Sequence, residues 1–94
     1  MAHIEMYTTG VCPFCIRAKQ LLQNKGVTWE EIRVDQDPGQ LQVMLQRSQQ
    51  RTVPQIFINN QAIGGFDELA ALNTNGELDA LLHDASMASV TENL

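Results

Sequence analysis

The strongest constraint in this chain is Cys12-Pro13-Phe14-Cys15, a cysteine pair three positions apart between a short β-prone run and a segment with helical periodicity. These are the only two cysteines, so the pair either closes on itself or gives two ligands to one metal ion. A zinc site needs two further ligands, and His3 and His83 stand at opposite ends of the chain without ligand spacing, so no metal site is expected. A disulfide across so small a loop adds little stability. Reversible thiol–disulfide exchange remains, and a strand–loop–CxxC–helix context inside a βαβ pattern is its usual setting.

The periodicity around the pair places it in a fold. His3 to Thr8 reads as a strand, followed by the Thr9-Gly10 loop. Ile16, Ala18, Leu21 and Leu22 then share one helical face, and Gly26 ends the run. Pro13 suits the first helical turn, which puts Cys12 at the N-cap. There the unpaired N–H groups of the first turn and the positive end of the helix dipole favour a thiolate. Cys15, one turn further in, is expected to be less exposed and suited to resolving a mixed disulfide. Val27 to Val34 reads as a second strand, closed by a turn over Asp35-Gln36-Asp37-Pro38-Gly39, and Leu41, Met44 and Leu45 mark a helix running to about Ser48. Gln55 to Ile58 is a short apolar strand, Asn59-Asn60 a hairpin turn, and Gln61-Ala62-Ile63 its partner, broken by Gly64-Gly65. Phe66, Leu69, Ala70 and Leu72 mark a helix ending near Asn75-Gly76, and Leu78, Leu81 and Leu82 a last short one.

The order is thus β-α-β-α-β-β-α plus a short terminal helix. A βαβ opening demands a parallel pair with a right-handed crossover, and the later tight turn demands an antiparallel pair. The α/β arrangement that satisfies both is a mixed four-stranded sheet with helices on both faces, the thioredoxin-like fold. Residues 1–85 read as one domain and 86–94 as a polar tail free to fray.

Composition narrows the function classes. The chain has 94 residues, 44% hydrophobic, enough for one core without disulfide staples. Net charge is −5, and the basic residues Arg17, Lys19, Lys25, Arg33, Arg47 and Arg51 are scattered, which argues against nucleic acid or an anionic membrane as partner. No run approaches the ~18 apolar residues of a membrane span. Met1 to Glu5 has neither the basic nor the apolar region of a secretory signal. A cytoplasmic monomer in a reducing compartment is the expectation.

A second segment belongs with the cysteines. Thr52-Val53-Pro54 precedes the apolar strand, where proline is confined to a strand start or edge. A cis Val53–Pro54 bond would turn the Val53 backbone outward, leaving an unpaired edge on which an extended thiol peptide could add. In a third segment, Gly64-Gly65 lets the backbone approach a ligand, and the helix start after it suits a carboxylate.

Cys12-Pro13-Phe14-Cys15, Thr52-Val53-Pro54 and Gly64-Gly65-Phe66-Asp67, at these separations, resemble the three signature segments of a dithiol glutaredoxin of the short bacterial type, over about Ile4 to Leu82. The resemblance implies a glutathione-dependent disulfide oxidoreductase acting on protein disulfides and glutathionylated proteins. It makes Cys12 the nucleophile and Cys15 the resolving thiol. It implies that Val53 pairs through its backbone with the cysteine of glutathione, that Phe66 and Asp67 hold its γ-glutamyl end, and that Phe14 and Thr52 line the groove. Pro13, Pro54 and Gly65 are then structural at the site. The alternative from another class is a [2Fe–2S] carrier, with Cys12 and glutathione holding the cluster in a dimer. Pro13 and Cys15 argue against it, and a brown colour on anaerobic purification would favour it.

Two positions depart from the family pattern. Phe14 replaces a common tyrosine and loses its hydroxyl. Thr9 stands where a lysine commonly helps to bind the glycine carboxylate of glutathione, and Arg47 or Arg51 is the expected substitute. Thr9→Lys is therefore predicted to tighten glutathione binding a few-fold, in keeping with the ~1 kcal/mol or less of an exposed charge pair. Glutathione titration of both proteins checks this, and equal affinities would count against it.

Overall fold

Alternation along the first strand sets the layers. The structure is a computed structural model and describes residues 2–83. In β1 (Ile4–Thr8), Ile4 and Met6 face one side of the sheet and Tyr7 the other. α1 (Pro13–Asn24) follows, then β2 (Glu30–Arg33), α2 (Pro38–Ser48), β3 (Gln55–Ile58), β4 (Gln61–Gly64) and α3 (Phe66–Thr74). Residues 77–83 are helical and are called α4. The strand order is β2-β1-β3-β4, with β1 parallel to β2 and antiparallel to β3, and β3 antiparallel to β4. This is the mixed sheet that the element order predicts.

All four residues of β3 are buried, the mark of a central strand covered on both faces. Ile56 and Ile58 join Ile4 and Met6 in one cluster, which Ala18 and Leu22 of α1, Leu69 of α3, and Leu78 and Leu82 of α4 complete. Phe57 joins Tyr7 on the opposite face, under Val34 and Met44 of α2. Only Met44 of α2 is fully buried, and a charged residue adds to its docking. The Arg47 guanidinium lies 3.9 Å from the centroid of the Phe57 ring, donates to Tyr7 Oη at 2.8 Å, and forks onto Glu5 Oε1 and Oε2 at 3.0 and 3.1 Å.

Local chemistry explains the element ends. Asp37 caps α2, its Oδ1 accepting from Gly39 and Gln40 N–H, with Pro38 at the first helical position. Asn59 and Asn60 both have positive φ, 53° and 67°, as a two-residue hairpin turn of this kind needs. Gly26 and Gly76, beyond the ends of α1 and α3, also have positive φ.

The second strand is shorter than the Val27–Val34 of the sequence reading. In the β1–β2 register Glu5 faces Glu30, so residues 27 and 28 fall opposite Ala2 and His3, ahead of β1. There His3 is tied to Asn59 instead, and Val27 and Trp29 pack against the first cluster. The predicted turn over Asp35–Gly39 is also partly helix, because Asp37 and Pro38 start α2 three residues ahead of Leu41. The tail 86–94 lies outside the described residues.

Leu22, fully buried between α1 and the sheet, tests this core. Leu22→Ala is predicted to cost about 3 kcal/mol, within the ~2–5 kcal/mol range for such truncations. A urea titration should show a lower midpoint at an unchanged slope.

Candidate active site

Cys12 is the N-cap of α1, with extended backbone (φ −152°, ψ 93°), and its Sγ accepts the N–H of Cys15 at 3.0 Å. Ile16 N–H bonds Cys12 C=O at 3.1 Å and starts the helical ladder. Pro13 takes the first helical position, where its missing N–H costs no bond. Cys15 is 1% exposed and Cys12 7%, the order that the sequence reading expects. The two sulfurs are joined, with S–S 2.10 Å and Cα–Cα 5.1 Å.

Phe14, between the two cysteines, lines a groove of about 660 Å³. Thr52, Val53 and Pro54 line one side, and Gly64, Gly65, Phe66 and Asp67 the other, while the two cysteines sit beyond its lining. The Phe14 and Phe66 rings stack at 6.3 Å with 27° between planes, and the Arg17 guanidinium lies 5.4 Å from the centroid of the Phe14 ring. The Val53–Pro54 bond is cis. Among the described residues neither the N–H nor the C=O of Val53 has a hydrogen-bond partner. An unpaired edge thus faces the groove.

Three supports were not visible in sequence. The buried Gln55 amide donates to Thr52 C=O at 2.9 Å and to Thr52 Oγ1 at 3.2 Å, holding the turn before Val53. Glu68 Oε1 accepts Gly65 N–H at 2.7 Å and caps α3, and the spacing from Gly65 to Glu68 is the one usable signal for this. Glu31 Oε2 accepts from Lys19 of α1 at 2.6 Å and from the buried Thr8 hydroxyl at 2.9 Å, tying the cysteine-bearing helix to the sheet.

The charges correct one expectation. Arg47 is held by Glu5 and Tyr7 on the α2 face and does not line the groove, so it cannot stand in for a lysine at Thr9. Arg51 is exposed and outside the lining too. Among the described residues the groove has no basic side chain, only Asp67 and Glu68. Phe66 and Asp67, which line the groove, open α3, and their N–H groups have no intrahelical partner. His83 is exposed on α4, as expected of a helix-surface residue. His3 comes near Glu5 and Glu30, with ligand atoms within 4.8 Å of one another. The Arg47 fork already neutralises Glu5, which weighs against a cation at that cluster. Among the described residues no helix is long and apolar enough to cross a membrane.

The glutaredoxin family profile matches residues 4–63. The chain is 50% identical over 82 residues to Glutaredoxin 3 of Escherichia coli strain K12, covering 87% of this chain and 99% of that protein. Glutaredoxin of Pseudomonas aeruginosa is 49% identical over 82 residues, covering 87% of this chain and 98% of its own length. Among solved structures, the buckwheat glutaredoxin–glutathione complex superposes with a TM-score of 0.83 at 28% identity, over 90% of this chain and 80% of that one. The solution structure of glutaredoxin from Brucella melitensis gives 0.77 at 44% identity, over 87% and 89%.

Glu31 gives the site a pH dependence. Burial raises its pKa, but the hydrogen bonds from Lys19 and Thr8 outweigh this and leave it below the ordinary glutamate value. Its contribution to stability is therefore complete above the unfolded value of about 4.3 and is lost as pH falls through the lower native one. Glu31→Gln is predicted to be less stable than wild type at pH 7, with the gap closing toward pH 3. Urea titrations at both pH values check this, and a constant gap would assign the effect to packing.

Proposed function

The chain belongs to the glutaredoxin family of thiol–disulfide oxidoreductases, and we propose that Cys12 is its nucleophile, Cys15 its resolving thiol and glutathione its reductant. The observation that carries this reading is the N-cap geometry: Cys12 Sγ already accepts an N–H of the helix start, so the thiolate form gains a donor and a favourable dipole. Among the described residues no donor reaches Cys15 Sγ, and Cys15 is more deeply buried, which suits a thiol that acts second.

The Cys12 thiolate attacks a glutathionylated protein at the glutathione sulfur, forms a Cys12–glutathione disulfide and expels the protein thiolate. A second glutathione thiolate then attacks the glutathione sulfur of that intermediate. This releases oxidised glutathione and restores the Cys12 thiolate. With a protein disulfide, Cys12 forms a mixed disulfide with one protein sulfur, and Cys15 displaces the protein. The product is the Cys12–Cys15 bond, which two glutathione molecules reduce. Reduction of a protein disulfide therefore consumes two glutathiones, whereas deglutathionylation consumes one, the other half of the oxidised glutathione coming from the substrate.

The groove supports this choice of co-substrate. The free N–H and C=O of Val53 suit the backbone of an extended thiol peptide. The N–H groups of Phe66 and Asp67 suit its terminal carboxylate, and the Asp67 carboxylate suits the adjacent ammonium. Phe14 and Thr52 border the remaining surface, and Pro13, Pro54 and Gly65 keep the three segments in shape. Protein disulfides and glutathionylated proteins are the proposed substrates of a monomer.

Turnover of a small glutathione mixed disulfide, coupled to glutathione reductase, tests the assignment. Wild type and Cys15→Ser are predicted to turn over, and Cys12→Ser to lose activity by at least about a thousandfold, as expected when a nucleophile is removed. An inactive wild type whose thiols still oxidise reversibly would sink the glutathione assignment.

A further inference from the structure

The loop that delivers Cys12 to its helix has little structure of its own. Thr9, Gly10 and Val11 bridge β1 and the N-cap, Val11 is 92% exposed, and the one internal bond, Thr9 Oγ1 to Val11 C=O, is long at 3.4 Å. The anchor comes from the far end of β2. Gly10 N–H donates to Asp35 Oδ2 at 3.1 Å, across 25 positions of sequence. Asp35 is itself held by a fork from Arg33, Nε to Oδ1 at 2.8 Å and Nη2 to Oδ2 at 2.7 Å.

The same guanidinium packs against Gly10. A Cβ there would stand 2.6 Å from Arg33 Nη2, the far end of a flexible side chain, so a larger residue at position 10 would displace the guanidinium from the loop. Val34 N–H bonds Thr8 C=O at 3.0 Å and keeps the two chain segments parallel up to this point. The charged groups that act on the clasp are Arg33 and Asp35 themselves and Glu31, also on β2, which acts on Arg33. The Thr9–Val11 loop adds no charge.

We infer that Asp35, locked by Arg33, is a positioning residue for the nucleophile: by holding Gly10 it sets the entry of Cys12 into α1 and so the fraction of Cys12 present as thiolate. Asp35 acts through the loop, not on the sulfur. The link is the extended N-cap backbone, which turns Cys12 Sγ onto the Cys15 N–H. A loop without its clasp samples other entries, and in those the thiolate lacks that donor. The inference rests on the reading of Cys12 as nucleophile, and its test needs neither glutathione nor turnover.

The experiment measures the pH profile of iodoacetamide alkylation of reduced protein in a Cys15→Ser background, where one thiol reports. Asp35→Ala is expected to move the midpoint up by about half a pH unit, which is ~3-fold less thiolate below the midpoint. Asp35→Asn keeps an acceptor for Gly10 N–H but loses the charged fork, and a smaller upward shift is expected. Asp79→Ala removes an ion pair at the far end of α1, Lys25 Nζ to Asp79 Oδ1 at 2.9 Å, and should leave the midpoint in place. A profile for Asp35→Ala that coincides with the parent's, even with a lowered melting temperature, makes the clasp purely structural and overturns the inference. An equal shift in Asp79→Ala overturns it too, because the effect is then general loosening. If Asp35→Ala does not fold, Asp35→Asn decides: an upward shift supports the inference, and coincidence with the parent's profile overturns it.

Discussion

Because β1 pairs on both edges, parallel to β2 and antiparallel to β3, every segment of the site arrives at one end of the sheet. β1 ends at Thr8 and feeds Cys12. In the antiparallel register Tyr7 faces Gln55, so the end of β1 lies beside the start of β3 and brings Val53-Pro54 to the cysteine pair. β4 reverses once more, with Gly64 opposite Ile56, and returns Gly65-Phe66-Asp67 to the same edge. The parallel partner β2 ends there as well, which delivers Arg33 and Asp35 to the loop before Cys12. A one-residue slip at β1–β3 would exchange the two buried faces of β3, sending Ile56 and Ile58 to the side of Tyr7 and Phe57 to the side of Met6, and undo this convergence together with the core.

The site does its electrostatic work with backbone more than with side chains. Among the described residues no basic side chain lines the groove, and the donors for an anion are N–H groups at two helix starts. At α1 the donor meets a sulfur, and at α3 the open N–H groups belong to Phe66 and Asp67, which line the groove. Such donors stay in place without side-chain entropy, and their position follows from the fold. Side-chain charges act one step away: Glu68 caps Gly65, Glu31 ties α1 to the sheet, and Asp35 holds Gly10. Arg47 serves the opposite face, where its stack on Phe57 supplements the single fully buried side chain of α2.

The three signature segments were legible because each depends on local chemistry. A cysteine before a proline reads as an N-cap, a proline at the head of an apolar run reads as a strand start, and paired glycines before an acidic turn read as a helix start. The hairpin at Asn59-Asn60 was legible for the same reason, since few residues accept positive φ. The extent of β2 was not. Val27 and Trp29 are β-prone and apolar, yet both pack against the first cluster, and the position opposite Val27 lies ahead of β1. Arg47 was misplaced because a long cation reaches either face of a helix, and here Glu5 and Tyr7, some forty positions away, hold it.

By itself, then, the sequence determined the element order, the identity of the reactive pair and its place at a helix start, because caps, turns and periodicity act over a few residues. Tertiary structure decided which backbone groups face the groove, which charges are free and what holds the loop ahead of Cys12. Those depend on strand register and on partners 23 to 42 positions apart, such as Glu31 with Thr8, Asp35 with Gly10 and Arg47 with Glu5. No local pattern encodes such pairs, because each residue of a pair satisfies its own helix or strand preference whether or not the other is present.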